Sequence, residues 1–500
     1  MYCNVMSYLY EAARACPDRL ALADRRASYT YARLLSEVKA MGSALAARCG
    51  AQNRPVVVAL RHSADDVRDF LAAAYSGNCC VPVDPTLPAE RLRAMLDVVR
   101  PCAVIADKFP LDADAARSPV WTEEELLAAA PGETGEAPWT RGKDTDPLYI
   151  MFTSGSTGEP KGVAISHRSV IDMVEQFTAV FQFPEGSVFG NQAPFDFDVS
   201  VKDIYLALRV HGTVEILEKQ LFSFPKLLLE RLRERRVDTA IWAVPALKVL
   251  CELDAFADGA PQTLKNVMFS GEVMPQKTLS YWMNALPEAR FVNLYGPTEI
   301  TCNCTYYVVE RNRRTEDAVP IGRAFPNCSV FLADGGERVT QEGRTGELCV
   351  SGSCLALGYY RRRELTDAAF VQIPWQDAYP ERMYRTGDLG CMKDGLLYYM
   401  GRADTQIKHM GHRVEMTEIE LCANAARDVS VSACVYDQKR TRLVLFYQGA
   451  AAEKELREHL RERLPKYMLP AVLRRVEEFP RTRTGKIDRR ALLAAAQSEK

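Results

Sequence analysis

Long hydrophobic runs are absent from this chain of 500 residues. No stretch approaches the roughly 18 consecutive apolar residues that a membrane-spanning helix needs, and the N terminus lacks the pattern of a secretory signal. A strong net charge is absent too, because 63 Lys and Arg face 65 Asp and Glu. This balance argues against a general nucleic-acid binder. We therefore expect a cytoplasmic protein of two or three domains, a monomer with neither membrane insertion nor a nucleic-acid partner.

Metal-binding cysteine pairs are also lacking. The chain has 15 cysteines and 6 histidines, but no CxxC string. Cys79 and Cys80 are adjacent, and Cys302 and Cys304 are one residue apart, and neither spacing is typical of a zinc site. We therefore expect the cysteines to be reduced thiols that pack as small apolar side chains.

Short apolar runs alternate with helical patterns along the first part of the chain. Such alternation is typical of right-handed βαβ units and a largely parallel sheet, so the predicted fold class is α/β. The polar stretch 131–138 interrupts the pattern and is predicted to be a surface loop. The pattern predicts strands over 56–60, 79–83, 102–106, 148–152 and 291–294, and helices over 64–76 and 92–99.

Charge suggests where one domain ends. Residues 403–500 carry 19 Lys and Arg against 14 Asp and Glu, whereas the rest of the chain carries 44 against 51. Strand-like segments at 432–436 and 443–447 and a helix-like segment at 453–463 fit a small α+β unit. We therefore predict a large N-terminal body over 1–402 and a small C-terminal lid over 403–500, although charge can also drift along a chain by chance.

A segment rich in glycine and hydroxyl side chains follows the predicted strand 148–152. It has the sequence TSGSTGEPKG and runs from Thr153 to Gly162. Glycines let the backbone approach an anion closely, hydroxyl and N–H groups can donate to phosphate oxygens, and Lys161 adds a positive charge. The spacing is not that of a Walker loop. The composition alone would suit a flexible turn equally well, so a phosphate-binding role depends on the rest of the chain.

Four further segments accompany this loop. They are NLYGPTE at 293–299, YRTGDLG at 384–390, GRADTQIK at 401–408 and RTGKIDR at 483–489. Together the five strings resemble the motifs of the adenylate-forming enzymes, in the order of that family and over nearly the whole chain. The resemblance implies an α/β body with a mobile α+β lid, the use of ATP and Mg²⁺, and the formation of an acyl-adenylate.

The resemblance also assigns a nucleotide site. Tyr295 would stack on adenine, Asp388 would accept the ribose hydroxyls, and Glu299 would supply an oxygen ligand to Mg²⁺. Singly, a tyrosine more often packs in a core and an aspartate beside glycine more often forms a turn. Catalytic roles are implied for Lys486, Thr153 and Lys161. The implied ATP- and AMP-binding set is Thr153, Ser154, Gly155, Ser156, Thr157, Gly158, Gly271, Glu272, Asn293, Tyr295, Gly296, Thr298, Asp388, Arg402 and Lys486.

Two steps with different lid positions are implied by the same family. Lys486 would stabilise the negative charge that develops as a carboxylate attacks the α-phosphorus. Asp404 matches the hinge, about which the lid would rotate before the second step. The rotation would bring the segment 410–413 to the adenylate, where Gly411 would leave room for a phosphopantetheine arm. The acceptor would be a phosphopantetheinylated carrier protein supplied as a separate chain.

The segment 193–203, with the sequence APFDFDVSVKD, concerns the acid that is activated. It is similar to the FDxSV motif of the amino-acid-activating members, in which the aspartate, here Asp198, holds the substrate's α-ammonium group. A fatty or aryl acid would leave this carboxylate buried and unpaired. Asp198 could instead only cap the following helix. The pocket that the resemblance implies consists of Asp198, Val199, Lys202, Trp242, Met268, Ser270, Leu294, Cys302 and Asn303.

Within the amino-acid-activating members, the chain is most similar to the D-alanine:carrier-protein ligases. Those enzymes usually have a cysteine at the position of Ser270 and an apolar residue at that of Lys202. Trp242 and Leu294 would shrink the pocket and favour a small amino acid, with D-alanine first. Lys202 more commonly would extend to solvent, but if it pointed inward it would favour an acidic or hydrogen-bonding side chain. The alternatives are another small or acidic amino acid, an acyl- or aryl-CoA ligase of this fold, or a nucleotide-binding regulator without catalysis.

Overall fold

The computed structural model describes residues 2–111, 118–129, 136–155, 159–312, 318–404, 406–481 and 487–498. In chain order, its helices α1 to α14 are Met6–Ala15, Tyr31–Cys49, Ala64–Tyr75, Ala89–Val99, Glu123–Ala128, His167–Phe181, Val199–Arg209, Pro225–Glu234, Val244–Glu252, Gln276–Ala285, Arg363–Ala369, Met416–Asn424, Glu453–Arg463 and Arg489–Gln497.

Strands β1 to β27 are likewise numbered in chain order. They are Leu20–Ala23, Ser28–Thr30, Pro55–Ala59, Cys79–Val83, Ala103–Ile105, Val120–Trp121, Pro147–Thr153, Lys161–Ser166, Val188–Asn191, Thr213–Ile216, Thr239–Ala243, Asn266–Ser270, Arg290–Tyr295, Thr305–Val308, Arg323–Ala324, Cys328–Asp334, Glu337–Val339, Thr345–Gly352, Gly358–Tyr359, Phe370–Gln372, Arg382–Lys393, Leu396–Arg402, Gln406–His409, His412–Glu415, Val429–Asp437, Arg442–Gly449 and Val472–Arg475.

Two large sheets form the body. The first has the order β15-β14-β13-β12-β11-β9-β10-β1-β2, and its strands from β13 to β1 are parallel neighbours. The second has the order β19-β8-β7-β4-β3-β5-β6 and is parallel from β7 to β6. A third sheet, built on β16, β18 and β21, is antiparallel. The α/β fold class, with mainly parallel sheets and helices in a large N-terminal domain, is confirmed.

Several helices of the body are largely buried in its core. Helix α3 has the sequence ADDVRDFLAAAY, and all of its residues except Asp65 are buried. Residues of α1, α2, α3, α6 and α7 share one large apolar cluster with side chains of both parallel sheets. Three of the buried residues are charged, and they are paired as buried charges require, with Arg68 bonded to Asp69 at 3.0 Å. The core therefore holds the two sheets in a fixed relation and sets the positions of the strand ends that form the site.

The C-terminal part of the chain forms a smaller α+β unit. Its hairpin β23–β24 precedes α12, and a three-stranded sheet of β25, β26 and β27 packs with α13 and α14. The helix Glu453–Arg463 has the predicted bounds, and strands 432–436 and 443–447 lie within longer ones. The boundary between residues 402 and 403 stays a prediction.

The other predicted elements of the body are also present. The strand Cys79–Val83 has the predicted bounds, and the remaining predicted strands and helices differ by a few residues at their ends. Most of the predicted loop 131–138 lies outside the described residues. Over the described part of the chain, no helix is long and apolar enough to cross a membrane.

One prediction about the cysteines is wrong. Cys49, the last residue of α2, and Cys102, just before β5, form a disulfide with their Cα atoms 5.3 Å apart. The helix end and the strand start are far apart in sequence and adjacent in the fold, which spacing along the chain does not reveal. The other cysteines are free thiols, and most of them are buried.

Candidate active site

The nucleotide-motif residues meet where parallel strands end. Tyr295 is the last residue of β13, and Ser270 is the last residue of its parallel neighbour β12. Ligands of α/β sheets bind at the carboxyl ends of such strands. The chain leaves β13 through Gly296, where an added Cβ would lie 2.7 Å from the Cys302 carbonyl oxygen. Because this contact leaves no room for a Cβ atom, position 296 requires glycine. The glycine lets the loop after β13 fold tightly back over the strand end.

Asp388 lies against the ring of Tyr295. The Tyr295 hydroxyl donates to Asp388 Oδ2 at 2.6 Å, and the Arg402 guanidinium donates to Oδ1 at 2.6 Å. The same guanidinium also pairs with the Asp404 carboxylate at 2.7 Å. Arg402 therefore links the predicted ribose acceptor to the predicted hinge residue. Burial, and then the Asp388 charge, raises the pKa of the Tyr295 phenol, which stays a neutral donor.

The other nucleotide-motif residues surround this pair. Asn293 is buried in β13 and donates to the Pro320 carbonyl at 2.7 Å. Gly271 follows β12 with φ of +98°. The next residue, Glu272, accepts a hydrogen bond from the backbone N–H of Gly411 at 3.0 Å. Glu272 therefore faces the C-terminal hairpin in this structure.

The predicted phosphate-binding loop connects the antiparallel strands β7 and β8, in which Thr153 lies opposite Lys161. At Gly155 a Cβ would lie 2.0 Å from the Glu159 carbonyl oxygen, so the turn requires glycine. The Thr153 hydroxyl oxygen is buried and has no partner among the described residues. A buried hydroxyl without a partner is costly, and a phosphate oxygen would satisfy it. Ser156, Thr157 and Gly158 lie outside the described residues.

Four cations and three carboxylates line a cavity of about 370 Å³ next to this loop: Lys161, Arg385, Arg402 and Arg413, with Glu347, Asp404 and Glu415. Burial, and then the neighbouring Arg413 charge, lowers the pKa of Lys161. Tyr359 and Tyr384 also line the cavity. The three arginines already pair with carboxylates, Arg385 with Glu347, Arg402 with Asp404 and Arg413 with Glu299. Among the described residues no ion pair forms at Lys161, so its ammonium group would be available to a phosphate oxygen.

Glu299, the predicted Mg²⁺ ligand, is fully buried. Its two carboxylate oxygens accept from the Arg413 guanidinium at 3.0 and 2.8 Å, and Oε1 also accepts from the Tyr359 hydroxyl at 2.9 Å. Burial alone would raise the pKa of Glu299, but the Arg413 charge and the hydrogen bonds to the carboxylate together outweigh it, and the pKa is lowered. The ionised carboxylate is a suitable Mg²⁺ ligand by its chemistry, and in this structure Arg413 supplies the counter-charge.

Arg413 and Tyr359 were not among the predicted ligand residues. The pairing of Arg413 with Glu299 joins positions 114 apart in sequence. Tyr359 reaches Glu299 across 60 positions. Neither position carries a local signal for this contact, although the segment 410–413 was expected to approach the adenylate.

Polar contacts join the C-terminal hairpin and the following helix α12 to the body. Besides the Arg413–Glu299 and Gly411–Glu272 contacts, Ser154 Oγ donates to the Arg413 carbonyl at 2.9 Å. Arg91 of α4 and Glu418 of α12 form a buried ion pair. Lys486 lies outside the described residues.

His412 completes the contact between the hairpin and the body. Its ring stacks on Tyr467 with centroids 3.7 Å apart and meets Phe197 edge-on at 4.5 Å. Burial, followed by the charges of Lys219 and His409, lowers the pKa of His412 to about 3. The imidazole is therefore neutral in the folded protein at any pH near neutrality.

Acidification is expected to destabilise the fold through His412. Because its pKa is about 3 in the fold and near 6.5 unfolded, the folded chain binds fewer protons between these values and its stability decreases as the pH falls. Between pH 7 and pH 5, the titration of His412 lowers the free energy of unfolding by about 2 kcal/mol. Urea unfolding at pH 7 and pH 5 measures it, with His412→Phe as the variant that keeps the stacking but does not titrate. An equal pH dependence in both proteins would contradict the prediction.

The predicted amino-acid pocket lies beside the nucleotide motifs. Asp198 is half-buried and precedes α7, and a hydrogen bond joins it to Thr298. Cys302 Sγ donates to the Asp198 carbonyl at 2.9 Å. Burial raises the pKa of the Asp198 carboxyl, and the charge of Lys202 opposes this effect. A cation that binds beside Asp198 would therefore stabilise the ionised form of its carboxyl group.

Lys202 does not extend to solvent. Its side chain is fully buried, and its Nζ donates to the Asn303 amide oxygen at 2.5 Å. The expectation that the lysine reaches the surface is wrong, because the first turns of α7 lie within the body and leave its stem no path outward.

The remaining pocket residues divide between two faces of the first sheet. Met268 and Leu294 belong to the large core cluster that also contains residues of α7. Trp242 belongs to a second cluster, pairs with Phe269 in register and donates from Nε1 to the Gly190 carbonyl at 2.7 Å. Side chains alternate along a strand, so the structure places Trp242 on the opposite face from Met268. Ser270 is buried at the end of β12, and Val199 is the first residue of α7.

Known proteins resemble the chain over nearly its full length. The AMP-binding enzyme family matches residues 9–360, and the AMP-binding enzyme C-terminal domain matches residues 418–486. A D-alanine--D-alanyl carrier protein ligase of Bacillus licheniformis is 30% identical, over 96% of this chain and 97% of that protein. The ligase of that name from Bacillus cytotoxicus is 32% identical, over 98% and 99%. The structure of PA1221, an NRPS protein containing adenylation and PCP domains, superposes with a TM-score of 0.85 at 26% identity, over 100% and 98%.

Proposed function

The chain belongs to the AMP-binding enzyme family, and from this premise we propose that it adenylates a small amino acid with ATP and transfers the aminoacyl group to a carrier protein. The acceptor is the phosphopantetheine thiol of a separate protein. The relatives whose names include a carrier protein support this assignment.

One observation carries the proposal: the loop after β13 joins the two halves of the site. Tyr295 at its start contacts Asp388 of the nucleotide motif. Cys302 further along bonds to Asp198, the proposed anchor of the α-ammonium group. Glu299 lies between them on the same loop. A nucleotide and an amino acid bound to these residues would meet at the α-phosphate, which is the geometry that adenylation requires.

In the first step, the substrate carboxylate oxygen attacks the α-phosphorus, the bond to the β-phosphate oxygen breaks and pyrophosphate leaves. Lys161 and the Thr153 hydroxyl would hold phosphate oxygens, and Lys486 would offset the charge that develops. Glu299 would hold Mg²⁺, which when bound neutralises phosphate charge. In the second step, the thiol sulfur attacks the acyl carbon, AMP leaves and the thiol proton passes to solvent.

The contacts of the C-terminal hairpin support the second step. Gly411 lies at the body surface, where an added Cβ would first meet Ala243 at 3.9 Å. Because glycine has no side chain, the phosphopantetheine arm would have room to pass between the hairpin and the body at this point. We propose that Asp404 is the hinge for the change between the two arrangements.

Two amino acids are candidates. D-alanine is first by similarity, since it is the substrate in the names of the relatives. The buried ammonium of Lys202 favours a second, a small acidic amino acid.

Amino-acid-dependent exchange of labelled pyrophosphate into ATP tests the function. We expect exchange with at least one small amino acid and none with fatty or aryl acids. A phosphopantetheinylated carrier protein should then become aminoacylated as AMP is released. Exchange with fatty or aryl acids alone would contradict the proposal and indicate a CoA ligase. Absence of AMP formation with every acid would indicate a nucleotide-binding regulator.

A further inference from the structure

Lys202 is a buried cation whose hydrogen bonds are incompletely satisfied. An ammonium group has three donors. Asn303 Oδ1 accepts one of them at 2.5 Å, and the described residues supply no ion pair to this lysine. A buried charge is costly unless it is paired and hydrogen-bonded, so its presence in the pocket requires a further acceptor.

The nearest carboxylates do not meet this need. Asp198 is the proposed partner of the substrate's ammonium group. Asp203 accepts from the Asn191 amide at 2.9 Å, and burial raises its pKa to about 7, so it is only partly ionised near neutral pH. Once an amino acid is bound and its α-carboxylate has been converted to the adenylate, its ammonium group and Lys202 would share one fully ionised carboxylate, that of Asp198.

We infer that Lys202 binds a carboxylate on the side chain of the substrate, and that the amino acid is a short acidic one of the size of aspartate. The inference rests on the proposed function and names its substrate. A side-chain carboxylate balances the second cation and takes the free donors of the ammonium group. The methyl group of alanine does neither.

The distance between Asp198 and Lys202 limits how long the side chain of the substrate can be. Asp198 and Lys202 are four residues apart, which places them on one face of the helix with Cβ atoms roughly 5–6 Å apart. Lys202 Nζ bonds to Asn303 at 2.5 Å, and the Asp198 carbonyl bonds to the adjacent Cys302 at 2.9 Å, so the two charged groups lie against the same short loop. A ligand that reaches both must therefore carry its ammonium group and its second carboxylate only a few bonds apart. Aspartate meets this condition, and longer acidic amino acids would have to fold back.

Pyrophosphate exchange with D- and L-aspartate, asparagine and alanine tests the inference. We expect one aspartate enantiomer to have the highest kcat/KM. Lys202→Met, which keeps the length of the side chain and removes its charge, should lower that value by about 100-fold or more, as the loss of one partner of a buried charge pair does. The ratio of kcat/KM for aspartate to kcat/KM for alanine should fall with it. Lys226→Met serves as the matched control, because Lys226 is exposed on α8 and pairs with Asp258.

A second variant keeps the inference testable if Lys202→Met does not fold. Asn303→Asp would supply a carboxylate to Lys202 from the protein itself, so aspartate should be rejected and alanine accepted. Preference for alanine or asparagine over aspartate in the native enzyme would overturn the inference while leaving the proposed function intact. An aspartate-to-alanine ratio unchanged in both variants would overturn it equally. Exchange with no amino acid at all would instead refute the proposed function.

Discussion

Replacing Asp198 by alanine is expected to lower kcat/KM for the amino acid by about 30- to 5000-fold, which corresponds to roughly 2–5 kcal/mol for removing one partner of a buried charge pair. The reason is that the substrate ammonium would enter a half-buried place beside another cation, Lys202, without a counter-charge. Pyrophosphate exchange at varied amino-acid and fixed ATP concentration measures the effect.

The binding of ATP should be nearly unchanged in this variant, because Asp198 lies outside the residues that hold the nucleotide. Asp198→Asn is the matched control: it keeps the shape and the hydrogen bond to Thr298 but not the charge. If asparagine restores the native specificity constant, Asp198 acts as a helix cap and not as the ammonium anchor.

Lys486→Ala is expected to separate the two half-reactions. Adenylation should slow by about 100- to 1000-fold, the usual cost of removing one group that stabilises charge in a transition state. Transfer from preformed aminoacyl-adenylate to the carrier thiol should change by less than about 10-fold, since no such charge develops at the phosphorus in that step.

Single-turnover assays with ATP and with synthetic adenylate measure the two rates. Lys454→Ala is a suitable control, because Lys454 is exposed on α13 of the same domain. Equal losses in both half-reactions would show that Lys486 supports the structure of its loop and takes no part in adenylation.

Periodic patterns were the most informative part of the sequence for the fold. The strand Cys79–Val83 is a short apolar run bounded by polar residues and Asp-Pro, and the helix Glu453–Arg463 alternates apolar and charged residues at helical spacing. Both signals lie within about ten residues, so they depend little on the rest of the chain. Motif order likewise predicted that Tyr295 and Asp388 belong to one site, and the structure brings them into contact.

The features that sequence reasoning missed depend on distant neighbours. Lys202 was expected at the surface because most lysines are there, but the packing of α7 encloses it. Trp242 was placed in the pocket by position, whereas the pleat of β11 turns it to the other face of the sheet. The Cys49–Cys102 bond and the Arg413–Glu299 pair join segments whose proximity only the tertiary fold creates.

The C-terminal hairpin and helix α12 contact the body through hydrogen bonds and ion pairs, and through the ring of His412 on Phe197. The polar contacts are Arg91–Glu418, Arg413–Glu299, Gly411–Glu272 and Ser154–Arg413. When such groups separate, water replaces each lost hydrogen-bond partner, whereas exposing apolar faces to water costs free energy in proportion to their area. The free-energy difference between joined and parted arrangements is therefore small compared with that of a hydrophobic interface. The lid rotation proposed about Asp404 would therefore require little free energy for the loss of these polar contacts.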